Sequence, residues 1–161
     1  MSHWLRFEHA NRIHFGELAG DRVRVYSGDL FGAKAPTGEE LALAEVRLLT
    51  PCQPGKLLGL WNNFHERAAV EKLTRPEHPL YFVKTDNCYL AGDEDIRRPT
   101  GYDGPVVFEG ELGVVIGSEC RNVTEDEADR HIFGYTCVND VTARTILRSD
   151  PSFPQWVRAK S

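Results

Sequence analysis

No apolar run in this sequence approaches the ~18 residues a membrane-spanning helix needs, and the opening "MSHWLRFEHANRIHF" has no hydrophobic core of the kind a secretory signal carries. There is no Lys/Arg block, and the net charge is -5, so a nucleic-acid footprint is not expected. The four cysteines, Cys52, Cys88, Cys120 and Cys137, form no C-x-x-C pair, and the six histidines form no H-x-x-x-H pair. A structural zinc site is therefore not expected, and the thiols are read as reduced. Internal repeats and low-complexity tracts are also missing. What is present, 161 residues with 41% hydrophobic and 27% charged content, is enough for one ordinary domain with a real core. The expectation is an acidic, cytoplasmic protein.

The first part of the chain alternates in the two-residue rhythm of strands. "WLRFEH", "RIHFGELAG" and "RVRVYSG" are predicted strands, with Gly20-Asp21 and Gly28-Asp29 as turns. "APTGEE", residues 35–40, reads as a linker. "AEVRLLTPCQPGKLLGLW" carries further strands broken by Pro51 and Pro54, with a soft boundary near residues 48–54. The division expected is a small β module over residues 1–50 and a larger unit over 51–161.

In "NNFHERAAVEKLTRPEHP" the spacing of Phe64, Ala68, Ala69 and Leu73 predicts a helix, capped by Asn63 with Glu66 and closed by Pro76. "LYFVKTDNCYLAG" reads as a strand pair, or a strand and a turn. "VTEDEADRHIFGY" predicts a second helix with a Thr124–Glu127 capping box and Gly134 as its stop. "GYTCVNDVTAR" reads as a strand leading into a helix. The fold class expected is mixed α+β, rich in strands.

Within "VVFEGELGVVIG", Glu109 and Glu111 are two residues apart in a strand context, and so share a face. Two readings fit: a half-exposed strand with a wet side, or acids turned inward to hold a cation, because a lone buried carboxylate is costly. Asp140 is a third acid directly after an apolar strand. Three hard oxygen ligands of this type suit Mg²⁺, Mn²⁺ or Ca²⁺.

"PGKLLGLWNNFH", "PLYFVK", "FEGELGVVIG", "GYTCVNDVTAR" and the closing "AKS" resemble, in order and spacing, the fumarylacetoacetate hydrolase family. The likeness runs from about Leu48 onward, and the E-x-E followed 29 positions later by Asp140 is its most specific part. It leans toward the members that isomerise and decarboxylate 2-oxo-hept-3-ene-1,7-dioate and 5-carboxymethyl-2-hydroxymuconate. The resemblance implies a β-sandwich-like roll, a homodimer, and a divalent cation, Mg²⁺ first and Mn²⁺ or Ca²⁺ as alternatives. It also implies action on 2-oxo acids or 1,3-dicarbonyl compounds in aromatic catabolism, by C–C hydrolysis, decarboxylation or enol–keto isomerisation.

Residue by residue, the resemblance makes Glu109, Glu111 and Asp140 the metal ligands and His65 and Lys160 the catalytic residues. Lys84, Tyr89 and Arg144 line the substrate. Two departures stand out. Where hydrolytic members carry a water-orienting glutamate three positions after the histidine, this sequence has Ala68. Glu66 is about 100° away around a helix, so the departure favours decarboxylation or isomerisation. The family also continues past "AKS" with further strands, so the chain is expected to be an N-terminal portion or a truncated product. The alternative is a catalytically incomplete subunit or pseudoenzyme that pairs with an intact homologue. A plain small-ligand-binding β domain is a third reading.

Overall fold

The computed structural model describes residues 2–161. Strands hold 39% of the chain and helices 18%, which makes it the strand-rich mixed class expected. The residues fall into two compact units. Unit 1 comprises Met1–Gln53, Leu90–Ile96 and Gly110–Asn139, and unit 2 comprises Pro54–Tyr89, Arg97–Glu109 and Asp140–Ser161.

Unit 1 is built on an antiparallel meander: β1 (His3–His9), β2 (Arg12–Ala19), β3 (Arg22–Gly28) and β4 (Lys34–Ala42), with β5 (Arg47–Leu48) returning beside β1. The spatial order is β4-β3-β2-β1-β5. Ala10 and Asn11 join β1 to β2 with φ of 49° and 60°, the double left-handed turn whose twist matches a tight hairpin. Gly20, at φ 66°, turns the chain from β2 into β3, as the Gly-Asp step predicts. Phe7, Val23 and Val25 form the core, with Leu5, Leu18, Leu41, Leu43, Val46 and Leu48 packed around them.

The segment 35–40, expected as a linker, is instead most of β4. Pro36 is tolerated there because β4 is an edge strand and a missing N–H costs the sheet little. The register slips between Arg24 and Tyr26, and the Thr37 hydroxyl donates to the Val25 carbonyl at 3.0 Å in that stretch.

The same unit contains the hairpin of β9 (Gly110–Ile116) and β10 (Ile132–Asn139). Between them lie α2 (Glu125–Ala128) and a 3-10 turn over Asp129–His131. The Thr124–Glu127 box is present: the Glu127 carboxylate accepts from the Thr124 N–H at 3.1 Å and from its hydroxyl at 2.9 Å. The backbone bond, then the hydroxyl, holds the Glu127 carboxyl below its ordinary value. Gly134 does not stop this helix but lies inside β10, beside a register shift between Ile132 and Gly134. The stop comes earlier, because Ile132 is already extended with φ -79° and ψ 120°. Leu112, Val114, Ile116 and Tyr135 all face solvent from this hairpin.

In unit 2, β6 (Leu57–Trp61) pairs with β7 (Leu80–Lys84), and α1 (His65–Glu71) lies between them in sequence. The helix is where its spacing placed it, but its cap is Phe64, not Asn63. It ends at Lys72, whose left-handed φ of 54° sends its N–H back to the carbonyls of Ala68 and Ala69, well before Pro76. After β7 comes a 3-10 turn, Asp86–Cys88, so "LYFVKTDNCYLAG" is one strand and a turn. The remainder of the unit is β8 (Val106–Val107) paired with β11 (Thr142–Ala143), then α3 (Arg144–Leu147) and α4 (Trp156–Lys160).

Gly59 is opposite Phe82 in the β6–β7 register, and the Phe82 ring covers it: a Cβ on Gly59 would come within 2.3 Å of Phe82 Cζ. Phe82 is buried and also meets Trp156, at 6.1 Å between ring centroids. Gly59→Ala is therefore expected to destabilise unit 2 by about 1–3 kcal/mol, the usual cost of overpacking. Chemical denaturation followed by Trp fluorescence would measure it. A midpoint unchanged from the parent would show that Phe82 swings aside freely.

No helix of the described residues is long and apolar enough to cross a membrane.

Candidate active site

Along residues 108–112 the usual strand pattern is inverted. Phe108 and Leu112 are 82% and 62% exposed, while Glu109 and Glu111 are half-buried. Glu109 lies in the break between β8 and β9 and Glu111 lies within β9, and both are less wet than their neighbours. The arrangement is unlike a strand with a charged solvent face.

Within unit 2, Glu109 and Asp140 are held together by backbone as well as by charge: the Asp140 N–H donates to the Glu109 carbonyl at 2.8 Å. The side chains then converge on one point. Lys160 Nζ donates to Glu109 Oε2, Asp140 Oδ2 and Thr142 Oγ1, each at 2.7 Å. Lys84 Nζ donates to the other oxygen of Asp140, Oδ1, at 2.5 Å. Asp140 thus accepts from two ammonium groups, one per oxygen. The side chains of Lys160, Lys84 and Asp140 are 4%, 10% and 11% exposed, so the pairing takes place out of water, where an unpaired charge would be expensive. Glu109 is the wetter end, at 38%.

Each of the three charged groups that meet at Asp140 arrives from a different element. Lys84 ends β7, Lys160 ends α4, and Asp140 follows β10 directly. The Phe82 ring, two residues before Lys84 and so on the same side of β7, lies 5.5 Å from Lys160 Nζ, a cation–π contact. Trp156 anchors α4 by meeting Trp61 at 5.8 Å and Phe82.

Thr142 is the member that sequence reasoning missed. It is 1% exposed; its hydroxyl donates to Glu109 Oε1 at 3.2 Å while accepting from Lys160. A signal was available: Thr142 is two residues after Asp140 in "NDVT", and therefore on the same side of an extended chain.

The other expected site residues are placed less centrally. Tyr89 is half-buried and its hydroxyl donates to the Lys84 carbonyl at 3.2 Å, bracing the strand end that carries Lys84. Burial raises its phenol pKa, with Cys88 and Asp86 adding to the shift. Arg144 starts α3 exposed, held through its backbone N–H to the Pro105 carbonyl at 3.1 Å. His65 starts α1, also exposed, and does not share in the hydrogen bonds that tie the charge cluster. Glu111 is opposite Val138 in the β9–β10 register.

Among the described residues no ready group of three His, Cys, Asp or Glu side chains surrounds a metal position. What converges is two carboxylates and a hydroxyl, around an ammonium. Carboxylate oxygens are the kind of donor a hard cation takes, and those of Glu109 and Asp140 are here gathered about the Lys160 ammonium. A surface depression of about 440 Å³ is lined by Tyr81, Phe82, Pro154, Trp156 and Arg158 among others, and none of Lys84, Glu109, Asp140 and Lys160 lines it. The charges mark the candidate site better than the hollow does.

The profile for "Fumarylacetoacetate (FAA) hydrolase C-terminal" matches residues 56–161, and that for "Rv2993c-like, N-terminal" matches residues 2–51. The bifunctional isomerase/decarboxylase of homoprotocatechuate catabolism from Escherichia coli is 33% identical over 133 residues, covering 81% of this chain and 31% of that protein. Oxaloacetate tautomerase YisK of Bacillus subtilis is 31% identical over 129 residues, covering 75% of this chain and 43% of that protein. The solved structure of 5-carboxymethyl-2-hydroxymuconate delta-isomerase from Mycobacterium smegmatis superposes with a TM-score of 0.85 at 33% identity, covering 100% of this chain and 62% of that one. The chain spans about half the length of the curated relatives it matches. Profile, fold and the E-x-E…NDVT arrangement agree: the chain belongs to the fumarylacetoacetate hydrolase family.

Proposed function

We propose that this chain carries the metal-dependent site of an enzyme that isomerises or decarboxylates 2-oxo acids, in the breakdown of aromatic compounds. The observation that supports it best is the buried cluster in which Asp140 bridges Lys84 and Lys160 beside Glu109. Four charged side chains and a buried threonine gathered around one point make a place where an anionic substrate would meet positive charge out of water. Glu109, Glu111 and Asp140 would hold the ion, Mg²⁺ first and Mn²⁺ or Ca²⁺ as alternatives. When bound it would supply Lewis-acid stabilisation of negative charge on a 2-oxo acid.

The chain's own residues supply the rest. Lys160 brings a positive charge to the place where an enolate oxygen develops. His65, exposed at the start of α1, is free to carry a proton to or from the carbon next to the carbonyl. Lys84 and Arg144 attract the carboxylates of a dianionic substrate, and Tyr89 fixes the strand end beneath Lys84. The reading carries with it a cytoplasmic homodimer, with residues 1–50 as a small module and 51–161 as the first part of the catalytic domain.

Ala68 is one helical turn after His65 on α1, on its side of the helix, where a carboxylate would orient a nucleophilic water. Its methyl group cannot, and general-base help is worth about 10²–10⁴-fold. With Mg²⁺ present, oxaloacetate tautomerisation or decarboxylation is therefore expected to exceed acetylpyruvate hydrolysis by about that margin. Ultraviolet assays of both substrates in parallel would decide. Faster hydrolysis would reverse the assignment. Metal binding without turnover of either substrate would favour the second reading, a catalytically incomplete subunit that works with an intact homologue.

A further inference from the structure

We propose that Lys160 is a built-in occupant of the cation position, and that a divalent ion loads only by displacing its ammonium from between Glu109 and Asp140. This rests on the metal reading given above and concerns what that ion must overcome. An ammonium has three N–H donors, and those of Lys160 are all committed, to Glu109 Oε2, Asp140 Oδ2 and Thr142 Oγ1 at 2.7 Å. The oxygens that would serve the ion are thus already gathered about a positive charge. An ion bonded at about 2.0–2.6 Å through the sides of these oxygens that face Nζ would take the place of the ammonium.

Charge points the same way. Lys84 and Lys160 balance Glu109 and Asp140, so the cluster is neutral as it stands. A divalent ion adds two positive charges to a place largely out of water, and counting Glu111 as a third ligand still leaves an excess of one. Lys84 differs from Lys160 in position: it lies on Asp140 Oδ1, whereas Lys160 lies on Oδ2, the oxygen whose ammonium also binds Glu109. It contributes charge without occupying the spot. Lys160 is also tethered at the end of α4, so it competes at a high effective concentration. Once displaced, its ammonium is released to meet an anionic ligand, which links loading of the ion to readiness for substrate.

The test is Mn²⁺ binding, read from the electron paramagnetic resonance signal of the free ion, for the parent chain, Lys160→Met and Lys84→Met. Both substitutions remove one positive charge, and only the first empties the position. Lys160→Met is expected to bind on the order of tenfold tighter than the parent, and to gain clearly more than Lys84→Met. An equal gain for both would reduce the effect to general electrostatics and overturn the proposal, as would binding by Lys160→Met no tighter than the parent's.

A second measurement needs no substitution and stands if Lys160→Met does not fold. Reductive methylation mapped by mass spectrometry should show Lys160 protected in the ion-free chain and several-fold more reactive once Mn²⁺ is loaded, with exposed Lys72 unchanged as the control. Loading without any rise at Lys160 would also overturn the proposal. If none of the three proteins binds Mn²⁺, the metal reading itself fails and this inference goes with it. Mn²⁺ binding with no advantage for Lys160→Met leaves that reading standing and removes only the displacement.

Discussion

Asp140→Asn is expected to destabilise unit 2 by about 3–5 kcal/mol, the usual result of removing one partner from a buried ion pair. The substitution keeps the shape and removes only the charge. Lys84 and Lys160 each use one oxygen of Asp140, so in the amide one ammonium keeps only a neutral oxygen and the other faces an NH2 donor in place of its acceptor. Neither ammonium can recover its hydration, with 10% and 4% of their side-chain surface exposed. The exposed pair Arg24–Glu40 supplies the contrast. Its side chains are 54% and 48% exposed, so Glu40→Gln should change stability by no more than about 0.5 kcal/mol. Urea titrations of the two variants, followed by near-ultraviolet circular dichroism, would separate these cases. A loss below about 1 kcal/mol for Asp140→Asn would mean that the cluster is far better hydrated than its burial implies.

The other large effect lies in unit 1, where Phe7→Ala is expected to cost about 3–5 kcal/mol. Phe7 is 0% exposed, at the centre of β1, and is one of three fully packed residues with Val23 and Val25. Its strand is paired on both sides, opposite His14 of β2 and Leu48 of β5, so the backbone cannot settle into the space the ring leaves. Marginal stability in domains of this size is about 5–15 kcal/mol, so the variant should lose much of unit 1's cooperative transition. Val25→Ala, which removes fewer buried atoms, should cost roughly half as much. A Phe7→Ala loss no larger than that of Val25→Ala would show that the core closes over the cavity.

Much of the architecture follows from rules that act within a few residues. β1, β2 and β3 are where alternation and the Gly-Asp turns put them, because each strand half-buries one side in a hairpin with its neighbour. β4 escaped that reading because Pro36, Gly38 and two glutamates are a linker's composition, and only the pairing with β3 makes them a strand. Gly134 escaped it for a related reason: a glycine after acids and a short helix reads as a stop, but here cross-strand pairing with β9 carries the chain through.

The site divides in the same manner. Glu109, Glu111 and Asp140 stand out in the sequence as acids in apolar surroundings, and of these Glu109 and Asp140 meet at Lys160. That Lys160 and Lys84 would each take a separate oxygen of Asp140 was not visible, since nothing local in "LYFVK" or "RAKS" shows which carboxylate they meet. Arg144 and His65 came only from the family pattern. Both lie exposed at helix starts.

The charge cluster also has a place in time. Lys84 meets Asp140 across 56 residues, and Lys160 meets Glu109 across 51, whereas β1 turns into β2 over two. Loop-closure entropy must be overcome before such distant contacts return anything, so chains form their local hairpins first and their long closures last. During synthesis the β1–β3 meander can assemble while Lys160 is still unmade. The cluster is therefore expected to close on the late side of the folding barrier. Substitutions in it should speed unfolding and leave the folding rate almost untouched, as chevron kinetics of Asp140→Asn would show.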